Sequence, residues 1–143
     1  MSKHKIHQHI AVFGQAGSGK TVLLSSLFGR LHEPSAIHKN GYRFLADDSA
    51  RGNKLLQKYL GMKEQAQAPM QDKFVSSPFG FKFVPESQPL DAKKKTSHIG
   101  ITWHDYPGEW FESEVSSESE RNDRARTFRQ LIQSDVALSL IHI

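Results

Sequence analysis

Apolar residues occur along this chain in short blocks, and their period changes from block to block. Residues 9–13 (HIAVF) form a compact apolar run that stops at Gly14. Such a run predicts a strand buried on both faces, as in a parallel sheet. From Lys20 to Leu31 the spacing becomes helical, with Val22, Leu23, Leu24, Leu27, Phe28 and Leu31 on one broad stripe. Pro34 follows as a stop signal. Residues 42–46 (YRFLA) predict a short strand. Asp47, Asp48 and Ser49 then offer N-cap oxygens to a helix carrying Leu55, Leu56, Tyr59 and Leu60, which Gly52 and Gly61 weaken.

Residues 61–77 are polar, contain Pro69 and read as a loop. Residues 79–84 alternate apolar and polar, the pattern of a half-exposed strand. A turn region over 85–96 leads to a second strand over 98–104, antiparallel to the preceding one. Residues 107–120 read as irregular and acidic. Asn122 or Asp123 caps a predicted helix to about Ser134, with Ala125, Phe128, Leu131 and Ile132 facing inward. Residues 135–143 (DVALSLIHI) read as another apolar strand. No repeat or low-complexity linker divides the pattern, so we expect one domain over residues 1–143.

The composition adds bounds. Of 143 residues, 37% are apolar and 24% charged, an ordinary globular balance. No apolar run is long enough to span a bilayer, so no integral membrane segment is expected. The basic start, MSKHKIHQHI, has neither the apolar core nor the cleavage site of a signal peptide. The chain has no cysteine, which excludes disulfides and thiolate metal sites and fits a cytoplasmic location. A net charge of +4 favours anionic ligands. The basic residues are spread out, so nucleic acid is not an expected partner.

Between the first strand and the first helix, residues 14–21 read G-Q-A-G-S-G-K-T, a full match to the phosphate-loop pattern G-x-x-x-x-G-K-[ST] (Walker A). Gly14, Gly17 and Gly19 let the backbone wrap a polyphosphate closely. The amides from Gln15, Ala16 and Ser18 through Val22 then point inward. The helix that follows presents unpaired N–H groups and a partial positive charge. Lys20 is expected to reach the β- and γ-phosphates, and Thr21 to give its hydroxyl to Mg²⁺. A glycine-rich turn matching by chance is the competing reading, and the strand-then-helix context disfavours it.

Residues 99–108 read I-G-I-T-W-H-D-Y-P-G, an apolar strand ending in Asp105 with Gly108 three positions on. Asp105 is placed to hold Mg²⁺ through a water. In a D-x-x-G turn, the Gly108 amide is placed to sense a γ-phosphate. Alone, D-x-x-G equally describes a plain turn after a strand.

These motifs in this order resemble the TRAFAC class of GTPases, which contains the Ras-like proteins. The segment D-Y-P-G-E-W, residues 105–110, is similar to the signature of the bacterial YcjX-like and double-GTPase-domain families. The resemblance implies a P-loop α/β fold, a three-layer sandwich around a mainly parallel sheet with one antiparallel edge pair. It implies a GTP-binding switch with slow Mg²⁺-dependent hydrolysis, a guanine nucleotide as ligand and a protein effector as partner. It also places Glu109 where Ras-like proteins carry the glutamine that orients the attacking water. A solvated acid is the plain alternative for that position. Trp110 and Phe111 are core or a partner-facing patch, core being the safer choice.

Two departures stand out. The loop before the 79–84 strand, QAPMQDKFVSS, holds no threonine to serve as the switch ligand of Mg²⁺. Ser76 or Ser77 is a weak substitute, and Thr96 comes late. The guanine-reading N-K-x-D motif does not occur before Ile143, so the domain is expected to be C-terminally incomplete, its last strand covered by a further domain, a partner or a second copy. ATP use, by an ATPase or kinase, therefore stays open, as does a degenerate, non-catalytic scaffold. Elsewhere, His4, His7 and His9 cluster at the N-terminus without a carboxylate or thiol, and His104 flanks Asp105. Lys93–Lys95 read as a solvated turn. Arg121, Arg124, Arg126 and Arg129 read as the wet face of a helix, with an arginine finger in cis as the sharper alternative.

Overall fold

The structure is a computed structural model that describes residues 6–15, 17–68, 78–88, 90, 98–107 and 114–140. Among them are five strands and four helices in an α/β arrangement. Strand β1 is His7–Gly14, followed by α1 (Lys20–His32), α2 (Pro34–Asn40), β2 (Tyr42–Ala46) and α3 (Ser49–Gln65). Then come β3 (Phe79–Pro85), β4 (Ile99–Pro107), α4 (Glu118–Ile132) and β5 (Val136–Ser139).

The sheet order is β2-β3-β4-β1-β5. Strand β1 pairs in parallel with β4 and β5, while β3 is antiparallel to both β2 and β4. The sheet is therefore mixed. The anticipated edge pair, β3 with β4, lies inside the sheet because β2 docks outside β3 in register Tyr42↔Pro85 to Ala46↔Phe81.

One face of the sheet carries the main core. Val12 of β1, Phe81 of β3, and Ile101 and Trp103 of β4 meet Leu24 and Phe28 of α1 and Leu55 of α3. Phe28, Phe44 and Phe81 sit with ring centroids 4.8–5.9 Å apart, a spacing that favours aromatic attraction. The broad stripe expected on α1 is narrower: Leu24 and Phe28 are buried, while Val22, Leu23 and Leu27 are exposed. Helices α1 and α3 pack so closely that a Cβ on Gly29 would lie 2.0 Å from Tyr59 Cγ.

Several element boundaries differ from the sequence expectation. Pro34 begins α2 rather than only ending α1, because its fixed φ and missing N–H suit a first helical position. Helix α3 runs through Gly61 to Gln65. Asp48 is its cap, accepting from the backbone amides of Ala50 and Arg51 at 2.9 and 3.2 Å. Helix α4 begins at Glu118, not after Asn122, since Ser117 Oγ accepts from Glu120 N at 3.2 Å. Its expected inward face is corrected as well. Ala125 and Phe128 are exposed, Ile132 is 68% exposed, and Leu131 is half-buried. Strand β5 is an edge strand whose four residues are all exposed.

Candidate functional site

The parallel strands β1 and β4 bring Gly14 and Pro107 to the same end of the sheet, with Val12 beside Asp105. Strand β1 is followed by Gln15 and by Gly17–Gly19, which open into α1. Gly14 is buried, and a Cβ there would lie 2.5 Å from Ser18 Oγ and 2.6 Å from the Leu140 carbonyl oxygen. Only glycine fits that approach. Gly17 and Gly19 hold φ of 78° and 91°, the left-handed region that glycine enters without steric cost. The turn closes with Ser18 N donating to the Gln15 carbonyl at 3.1 Å.

Gly19 is the N-cap of α1, with no side-chain cap and no acidic residue in the first turn. In α3 and α4, by contrast, Asp48 and Ser117 side chains accept from first-turn amides. The amides that open α1 are therefore not occupied by a side chain, and the helix dipole adds to the positive field there. Lys20 Nζ lies over the loop, donating to the Gly14 carbonyl and to the Gln15 carbonyl at 3.0 Å. Thr21 follows, half-buried, and Val22 is exposed. Ala16 lies outside the described residues.

Asp105 shares the core-side pleat of β4 with Ile101 and Trp103. Its Oδ1 is buried and has no hydrogen-bond partner. Burial pushes its carboxyl above the ordinary aspartate value, and the nearby Lys20 charge pulls part of that shift back. A buried oxygen without a partner is costly, and a carboxylate more so. The donors here, a carboxylate and a threonine hydroxyl, are all oxygen, the ligand type a hard cation such as Mg²⁺ takes. The residues fit the ion on that chemistry.

Gly108, Glu109, Trp110 and Phe111 lie outside the described residues, as do Ser76, Ser77, Lys93–Lys95 and Thr96. Of the arginines considered, Arg124 pairs with Glu120 and donates to the Glu114 carbonyl at 3.5 Å. Arg126 lies 3.9 Å from Asp123. Both engage acids of their own helix, but only Arg126 lies on a wet face, since the Arg124 side chain is 14% exposed. On the pleat opposite Asp105, His104 packs near Tyr106 and His9. Burial, with a smaller contribution from His9, lowers its pKa and favours the neutral ring. A groove of about 590 Å³ lined by Ile6, Tyr42, Phe83 and Ile99 lies at the other end of the sheet, away from the loop. Among the described residues no helix is long and apolar enough to cross a membrane.

The capping of α4 carries a sequence signal that the helix expectation above did not use. Ser117-Glu118-Ser119-Glu120 is an S-x-x-E capping box. Glu120 also accepts from Ser116 N at 2.9 Å, the amide one residue before the cap.

A comparison with curated proteins gives no match. The family model described as Double-GTPase 2 matches residues 8–140, a span that contains β1 from Gln8 on, the glycine loop, Asp105 and β5. The match covers almost the whole chain, and the chain belongs to the Double-GTPase 2 family.

Proposed function

We propose that this chain is a GTP-binding switch domain that hydrolyses GTP slowly and depends on Mg²⁺. The observation that carries the reading is the glycine loop opening directly into an uncapped α1, with Lys20 over it and the partnerless Asp105 oxygen beside it. Family membership supports guanine as the base. The reading includes a three-layer architecture, with α4 crossing from β4 to β5 on the face away from α1. The right-handed preference of crossovers between parallel strands, here β4 and β5 on either side of β1, supports that placement.

Binding is assigned to the backbone amides from Gln15 to Val22, which replace phosphate hydration. Lys20 exchanges its two carbonyl partners for the β- and γ-phosphates, a trade of neutral for charge-assisted hydrogen bonds. Thr21 and Asp105 are the residues that would hold Mg²⁺, Asp105 through a water. When bound there, the ion would supply charge neutralisation for the transferred phosphate. Gly108 is assigned the γ-phosphate contact and Glu109 the orientation of the attacking water, both on motif position. Catalysis is then positioning plus charge stabilisation. Slow turnover is part of the proposal because no arginine is assigned to the transition-state charge, and Arg124 is paired with Glu120.

The test is competition of unlabelled GTP and ATP against labelled GTP in Mg²⁺, with phosphate release followed in parallel. GTP displacing at least tenfold better than ATP, with release abolished by Lys20→Ala, agrees with the proposal. Preference for ATP overturns the base assignment. Tight binding without release leaves a nucleotide-dependent scaffold.

A further inference from the structure

The pleat opposite Asp105 carries histidines that nucleotide chemistry does not use. His7 and His9 alternate along β1, so both project to one face, and His104 lies on the adjacent β4. His9 Nδ1 and His104 Nε2 face each other at 3.1 Å, with ring centroids 5.4 Å apart. The His7 ring lies 5.0 Å from that of His9. Its Nε2 is engaged by Thr102 Oγ1 at 2.7 Å, so it is not a free donor. Asp135 Oδ2 accepts from His9 N at 2.7 Å, which fixes the strand position from which the His9 ring projects.

We infer that His9 and His104 form a two-histidine site for a borderline transition-metal ion, completed by water. Two bonds of about 2.05 Å from nitrogens at that separation meet at about 98°, between the square-planar and tetrahedral angles. For the ion to bind, the ring that donates the shared hydrogen bond takes its other neutral tautomer, its proton passing through water to its second nitrogen, and both rings turn so that the two facing lone pairs converge. Among the described residues no group of three His, Cys, Asp or Glu side chains is arranged to hold a metal. The site is thus bidentate and exchangeable, unlike a closed structural zinc centre. All-nitrogen donors select Cu²⁺, Ni²⁺ and Zn²⁺ and reject Mg²⁺, which separates this site from Asp105 and Thr21. Occupied, it would cross-link the two strands that carry the phosphate loop and Asp105.

The test is titration of tag-free, chelator-treated full chain with Cu²⁺ and with Zn²⁺, by calorimetry and by the copper electron-spin spectrum. One ion per chain is expected, Cu²⁺ tighter than Zn²⁺, with two nitrogen couplings. His9→Gln and His104→Gln should each weaken binding at least tenfold, while His4→Gln and His38→Gln leave it unchanged. Circular dichroism checks that the variants are folded. Retained binding in both His9→Gln and His104→Gln, or loss in His4→Gln, overturns the site. Neither outcome bears on whether GTP binds.

Discussion

Replacing Asp105 with asparagine separates the cost of this residue from its use. Without nucleotide, the carboxylate is a charge with one oxygen buried and partnerless, only partly offset by Lys20. The substitution removes the charge but keeps the shape. The gain at pH 7.5 is set at about 1–2 kcal/mol, the lower part of the range for a poorly satisfied buried polar group, since the side chain is not fully enclosed. At roughly 3 °C per kcal/mol for a chain of this size, Tm rises by about 3–6 °C. The pH dependence has a definite sign. A raised carboxyl pKa means the folded state holds its proton longer than the unfolded state, so wild-type stability falls as pH rises above the ordinary aspartate value of about 3.9. The advantage of Asp105→Asn therefore vanishes near pH 4 and grows towards neutrality. With Mg²⁺ and GTP the order reverses. At a hundredfold excess over Kd, nucleotide stabilises wild type by about 2.7 kcal/mol, and the variant loses the Mg²⁺-dependent share. Thermal melts at pH 4, 6 and 7.5, in Mg²⁺ or chelator, read all of this. A variant less stable than wild type without nucleotide, or a gain equal at every pH, refutes the reasoning.

Away from the loop, Gly29→Ala places a methyl group against the Tyr59 ring and should cost about 1–3 kcal/mol, visible as a lower denaturation midpoint with the loop sequence untouched. Glu33 accepts from Lys63 at 2.7 Å and from Tyr59, and its pKa is lowered to about 2, the Lys63 hydrogen bond first among the causes. Its stabilisation is present above about pH 4.3 and is lost as pH falls towards 2. Lys63→Met should therefore flatten the acid limb of a stability–pH curve in that window. Ile132, Val136 and Leu138 are 68%, 43% and 38% exposed on α4 and the β5 edge, so this chain in isolation should bind a hydrophobic dye. Ile132→Glu should reduce that fluorescence without changing the melt, and an unchanged signal places the dye elsewhere.

What could be read from the sequence followed the strength of local physics. Strand β1, the glycine loop and the start of α1 were legible because three glycines and a lysine have few other reasons to share seven positions between an apolar strand and an amphipathic helix. The Asp48 cap was legible because a carboxylate there has amides to satisfy. Gly61 misled because propensity is weak against packing. Leu55 is buried, Leu56 packs against the core, and the helix continues past the glycine. Pro34 misled because a proline that stops one helix equally starts another. The apolar residues of α4 and β5 misled for a deeper reason: periodicity reports which face is apolar, not whether anything covers it. Sheet order was not legible either, since nothing local in YRFLA states that β2 docks outside β3. At the site, the partnerless Asp105 oxygen and the His9–His104 pair emerge only from register, which places residues nearly a hundred positions apart on neighbouring strands.

The most direct test of the central claim is calorimetric titration of Mg²⁺–GTP into wild type and into Lys20→Ala. The account predicts a one-to-one binding heat for wild type, reduced when chelator replaces Mg²⁺, and at least hundredfold weaker binding for the variant. No heat for wild type with either GTP or ATP, or equal affinity in the lysine variant, would contradict it.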